Sequence, residues 1–106
     1  MGRLDFHIDF NLNVPDLPES LEIESSERIQ ALNKDRQDLI GALISLDEIA
    51  GVKDPFLYEA RIVAYKKPEN IAVSAKENSP EAALKQALSA LERTVREDRN
   101  QRRSYE

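Results

Sequence analysis

LIGALISLDEI, residues 39–49, is the stretch on which the fold turns. Read as a helix, Leu39, Ile40, Leu43 and Ile44 continue an apolar stripe from Ile29 and Leu32, and Gly51 makes a C-terminal cap. Read as a strand, Ile40, Ala42, Ile44 and Leu46 share one face after a turn through residues 33–38. A short apolar run fits either period, so periodicity leaves both readings open. The first gives a sheet of three strands, the second a sheet of four.

The segments around it are clearer. Before it, Leu4, Phe6, Ile8, Phe10, Leu12 and Val14 alternate without a break with Asp5, His7, Asp9, Asn11 and Asn13. Period-two alternation of this kind belongs to a strand with one buried and one polar face. Asp16 to Lys34 follows as a helix starting near Pro18 and Glu19, with Leu21, Ser25, Ile29 and Leu32 on one side and Glu19, Glu22, Glu24 and Glu27 exposed.

After it, Asp54-Pro55 marks a break. Phe56 to Tyr65 reads as a strand, with Tyr58, Ala60, Ile62 and Ala64 on one face and Arg61, Val63 and Tyr65 on the other. Lys66 to Asn70 is a short loop, and Ile71, Val73 and Ala75 form the inner face of a last strand, with Ser74 and Lys76 outward. The pair makes a hairpin.

The final run, Ser79 to Arg103, reads as one helix. Ser79 caps it, Pro80 suits the first helical position, and Glu81 complements the positive end of the helix dipole. Ala83, Leu84, Ala87, Leu88, Leu91 and Val95 make its apolar stripe. Beyond Val95 the arginines accumulate: Arg96, Arg99, Arg102 and Arg103. At roughly 100° per residue, Lys85, Arg96, Arg99 and Arg103 fall near one line beside the stripe, diluted by Glu92. The spacing predicts a helix that packs with one edge and presents a basic edge outward, with residues 99–106 as a fraying basic tail.

Composition narrows the function classes. The 106 residues suffice for a single domain, 1–106, with a modest core. The charged fraction is 33%, and no apolar run approaches the roughly 18 residues of a membrane span. The first residues, interrupted at once by acids, do not resemble a signal peptide. No cysteine is present, which excludes disulfides, thiolate metal sites and a cysteine nucleophile and fits the cytoplasm. One histidine, three glycines and no phosphate-binding glycine loop give little support for an enzyme. Asp5, His7 and Asp9 project in a row that could hold a divalent ion, but one strand converges three ligands poorly; the plain reading is a solvated face.

The net charge of −5 hides an asymmetry. Residues 1–60 carry five basic and thirteen acidic side chains, whereas residues 61–106 carry ten and seven. A basic side can take an anionic partner despite the overall sign; the plain alternative is solvated helix faces.

Residues 58–103 resemble the ribosome hibernation-promoting factor and ribosome-associated inhibitor family. That family's final helix reads roughly Asp-Met-Tyr-Ala-Ala-Ile and later Lys-Leu-Glu-Arg-Gln-Leu. The corresponding segments here are Ser79-Pro80-Glu81-Ala82-Ala83-Leu84 and Ala90-Leu91-Glu92-Arg93-Thr94-Val95. The family order, β-α-β-β-β-α, also matches the N-terminal strand and helix, and it favours the strand reading of residues 39–49.

The resemblance implies an α+β fold, a four-stranded sheet with two helices packed on one face, like a double-stranded-RNA-binding domain. It also implies a non-catalytic translation regulator without cofactor, metal, membrane or small-molecule substrate. Its partner would be the small ribosomal subunit, contacted in the decoding region through rRNA phosphates, with translation silenced in resting or stressed cells. Lysines and arginines on phosphates carry affinity without reading sequence. Arg93 carries over from the Leu-Glu-Arg motif, followed by Arg96, Arg99, Arg102 and Arg103. Lys76 and Lys85 join them from their position in this chain, and Lys66 and Lys67 are weaker candidates. Glu81 stands where the family has tyrosine, Lys85 where it has an acid, and the first helix is acidic where members are rich in lysine and arginine. With nothing after the helix, the chain would correspond to the family's short form. A protein-interaction or oligomerisation module of the same fold is the alternative, motivated by that acidic helix.

Overall fold

Residues 39–49 form a strand. The computed structural model describes residues 6–36, 38–49, 57–67 and 69–104 and places six elements along the chain: β1 (His7–Leu12), α1 (Glu19–Arg36), β2 (Leu39–Ile49), β3 (Leu57–Lys66), β4 (Ile71–Glu77) and α2 (Pro80–Ser104). The strands lie in the order β1-β2-β3-β4. β1 runs parallel to β2, across the α1 crossover, while β2–β3 and β3–β4 are antiparallel. This is the expected α+β order with a mixed four-stranded sheet.

Three rows of side chains cross the inner face in register. They are Ile8–Ala42–Ala64–Ile71, Phe10–Ile44–Ile62–Val73 and Leu12–Leu46–Ala60–Ala75. Ala42, Ile44, Leu46, Ala60, Ile62 and Ala64 are fully buried, whereas the β1 residues Ile8, Phe10 and Leu12 are half-buried at the edge. β2 is central and paired along both edges; at the register shift between Leu39 and Gly41, Leu39 takes the buried place that the strand reading gave to Ile40, which is 45% exposed. Glycine at position 41 lets β1 approach, since a Cβ there would lie 2.7 Å from the His7 carbonyl oxygen.

Helix α2 lies across β3 and β4 and also reaches β2, with α1 beside it. Every residue of its expected stripe is buried: Ala83, Leu84, Ala87, Leu88, Leu91 and Val95. Its start is also as read from the sequence. The Ala82 amide donates to Ser79 Oγ at 3.1 Å, and the Ala83 amide to the Ser79 carbonyl at 3.0 Å.

Helix α1 contributes Leu21, Ile29 and Leu32 to the same core, and Ser25 among them donates its hydroxyl to the Leu21 carbonyl at 2.7 Å. This satisfies a buried polar group locally. The helix begins at Glu19, where the sequence places its start, and Asp16 occupies a left-handed conformation (φ 60°) in the preceding turn. A short polar side chain tolerates that geometry better than most. Asp5, Gly51, Asp54, Pro55 and Phe56 lie outside the described residues.

Candidate nucleic-acid interface

The outer surface of α2 and the open face of the sheet are opposite sides of the molecule. The cations singled out from the sequence divide between them and the core.

Arg93 and Arg96 are exposed on the outer side of α2, and among the described residues neither has an ion-pair partner. Lys85 is exposed on the same helix, one turn beyond Glu81, which it meets at 2.9 Å. Its ammonium is held above the usual lysine range, chiefly by the hydrogen bond to Glu81 and further by the field of Glu81 and of Glu24 on α1. The basic edge therefore runs beside the acidic helix. Its reach toward an anion is correspondingly reduced at Lys85 and greater at Arg93 and Arg96.

Glu92 does not dilute that edge as the sequence suggested. Arg28 of α1 grips it with both arms, Nη2 to Oε1 at 2.8 Å and Nε to Oε2 at 3.2 Å, and also reaches Ser89 Oγ at 3.4 Å. The Arg28 guanidinium is raised above its ordinary value, first by the hydrogen bond to Glu92. This bidentate pair ties the two helices together.

Arg99 is turned inward and is 7% exposed. Its Nε donates to Asp38 Oδ2 at 3.0 Å and its Nη2 to Asp38 Oδ1 and to the Leu32 carbonyl at 3.1 Å. Arg99 lies one helical turn past Val95, in phase with the buried stripe, and so departs from the exposed line drawn through Lys85 and Arg96.

Lys66 is not in a loop. It closes β3, is 4% exposed, and its ammonium bonds Asp98 Oδ2 at 2.7 Å with Asp38 Oδ2 at 3.9 Å. Lys67 is exposed. Arg102 and Arg103 belong to the helical backbone, but their side chains lie outside the described residues.

Lys76 projects from the open sheet face, in register with Glu59 across β3. The same face carries the Arg61–Glu59 pair at 3.2 Å, the His7–Asp9 pair at 2.9 Å, and half-buried Leu43, Val63 and Tyr65. One flat surface cannot meet both Lys76 and the outer side of α2. Sequence reasoning missed the pairing of buried Lys66 with the half-buried Asp38 and Asp98; the three are separated by tens of residues, and no local signal joins them. Among the described residues no cluster of acidic or histidine side chains is arranged to hold a metal, and no helix is long and apolar enough to cross a membrane.

No family model matches the chain, and no curated relative matches it. Its fold does match solved structures. A ribosomal subunit interface protein from Coxiella burnetii superposes with a TM-score of 0.73 over 90% of this chain and 99% of its own, at 10% identity. The N-terminal domain of Thermus thermophilus Protein Y superposes with a TM-score of 0.61 over 85% of this chain and 92% of its own, at 16% identity.

Proposed function

We propose that the chain is a cytoplasmic, ribosome-associated translation regulator that binds small-subunit rRNA in the decoding region and inhibits translation in resting or stressed cells. The observation that carries this reading is the outward display of Arg93 and Arg96 on α2, in a fold that matches a ribosomal subunit interface protein over 90% of this chain. Guanidinium groups on one helical surface suit a run of phosphates, which they engage without reading bases. Arg102 and Arg103 extend the same helix and join the proposed contacts, with Lys85 as a screened contributor at its near end and Lys76 as a contact only for RNA that also reaches the sheet face. The acidic α1 alongside opposes RNA, so the affinity rests on few contacts and is sensitive to salt. The reading assigns the chain no catalytic step and no cofactor.

Sedimentation of the full chain with purified small ribosomal subunits across a salt series tests it. Binding at low salt that weakens steeply as salt rises, and that is lost in an Arg93→Glu/Arg96→Glu variant, supports the reading. Absence of binding at every salt concentration overturns it.

One observation favours a second reading, a protein-interaction module. The outer face of α1 is acidic, with Glu19, Glu24 and Glu27 exposed, and it also exposes Ile23 (54%). A protein complex that survives high salt, without ribosome binding, would establish it instead.

A further inference from the structure

The final turns of α2 present a physical problem. Val95 is the last apolar residue of the helix, yet residues 96–104 remain helical. A helix end with no apolar face has little to hold it, because packing supplies most helical stability in proteins. The structure supplies a substitute at the foot of that segment. Arg99 is bonded twice to Asp38 and once to the Leu32 carbonyl, and Lys66 is bonded to Asp98.

This group joins four elements. Asp38 sits at the entry to β2, Lys66 at the end of β3, Leu32 in the last turns of α1, and Asp98 and Arg99 on α2. Two cations face two anions in this group. The guanidinium lies toward the negative end of α1, where a cation is favoured. Its two-pronged grip on Asp38 fixes orientation as well as distance, which a lysine ammonium at the same place does not.

We propose that Arg99 is a positioning residue: with Asp38, and with Lys66 and Asp98 beside it, it clamps the core-less end of α2 and holds exposed Arg96 in place for a polyanion. The inference rests on the rRNA reading for the identity of the polyanion, but the clamp itself is a property of this chain. It gives Arg99 a different task from Arg96. Arg96 is exposed and engages phosphate; Arg99 is spent inside the protein, and exposing it means breaking three hydrogen bonds.

Asp38→Asn separates the alternatives by sign. It removes one negative charge, so charge alone predicts tighter binding to a polyanion. A clamp predicts weaker binding, by about fivefold, because the helix end loses its orientation. The full chain and its Asp38→Asn, Arg99→Lys, Arg99→Gln and Arg96→Gln variants are titrated with purified small ribosomal subunits, and amide hydrogen exchange is read along α2 in the free proteins. Arg99→Lys keeps the charge but not the fork, and it is expected to weaken binding as Asp38→Asn does. Both should speed exchange within residues 96–104 and leave residues 83–95 protected. Arg96→Gln should weaken binding with exchange unchanged.

Binding that is unchanged or tighter in Asp38→Asn, together with a loss in Arg99→Gln, overturns the proposal and makes Arg99 a direct phosphate contact. If the parent chain binds no subunits, the rRNA reading fails, and exchange alone decides the clamp. Faster exchange confined to residues 96–104 in Asp38→Asn upholds it, and equal exchange refutes it. Should Asp38→Asn fail to fold, Asp98→Asn, which weakens the hold of Lys66 on α2, is read against the same two outcomes.

Discussion

Arg99, one turn past the last apolar residue of α2, donates to both carboxylate oxygens of Asp38, the residue that precedes β2. The two are 61 positions apart in the chain, and their pairing fastens the second helix to the central part of the sheet.

This pairing makes the fold acid-sensitive. The hydrogen bond from Arg99 holds the Asp38 carboxyl below the usual carboxylate range, against partial burial, which acts in the opposite direction. A carboxyl lowered in the folded state contributes stability that is fully present above its unfolded value of about 3.9. That contribution disappears as pH falls through the folded value. Urea midpoints measured from neutral pH down to pH 2 should therefore fall more steeply below about pH 4 in the parent chain than in Asp38→Asn. Parallel curves would show that Asp38 adds nothing to the acid response.

Gly41 is set by space rather than by a turn. A methyl group there would meet the backbone of β1 at His7, which has no side-chain freedom with which to yield. Gly41→Ala is expected to lower stability by about 1–3 kcal/mol. The loss should concentrate at the β1–β2 edge, with faster amide exchange in residues 7–12 than in β3. An unchanged denaturation midpoint would contradict the close approach.

Ser79→Ala removes the side-chain acceptor for the Ala82 amide. The expected cost is about 1 kcal/mol, and Ser79→Asp should restore it by accepting the same bond at the positive end of the helix. Thermal unfolding of the three proteins checks this; equal values for Ser79→Ala and the parent would remove the cap from the account.

The two faces make separable predictions for RNA. Arg96→Glu acts on the outer side of α2, whereas Lys76→Glu acts on the open sheet face beside Glu59. Under the rRNA reading, Arg96→Glu weakens subunit binding by about tenfold or more and lowers the slope of its salt dependence. Lys76→Glu has the smaller effect. The reverse ranking, read by the same salt titration, would move the interface to the sheet.

Much of this architecture is written in local patterns. The β1 alternation, the two faces of β3 and β4, the apolar stripe of α2 and its serine cap all follow from spacing, because each depends on neighbours within one or two turns or strand steps. Gly41 carries a local mark of the close approach of β1 that the spacing argument did not use. The fold match supports the resemblance read from the last helix at the level of architecture.

The sequence by itself determined the elements with an unambiguous period, one polar sheet face and an arginine-rich final helix. Tertiary structure alone decided the rest. Residues 39–49 become a strand because β1 and β3 pair with both of its edges and bury Ile44 and Leu46, a choice their own apolar run does not contain. Arg99 and Lys66 look like solvent cations in the chain and lie inside the fold, because a charge enters a protein interior only where opposite charges and acceptors are brought to it. Those partners, Asp38, Asp98 and the Leu32 carbonyl, come from segments 32 to 67 residues away.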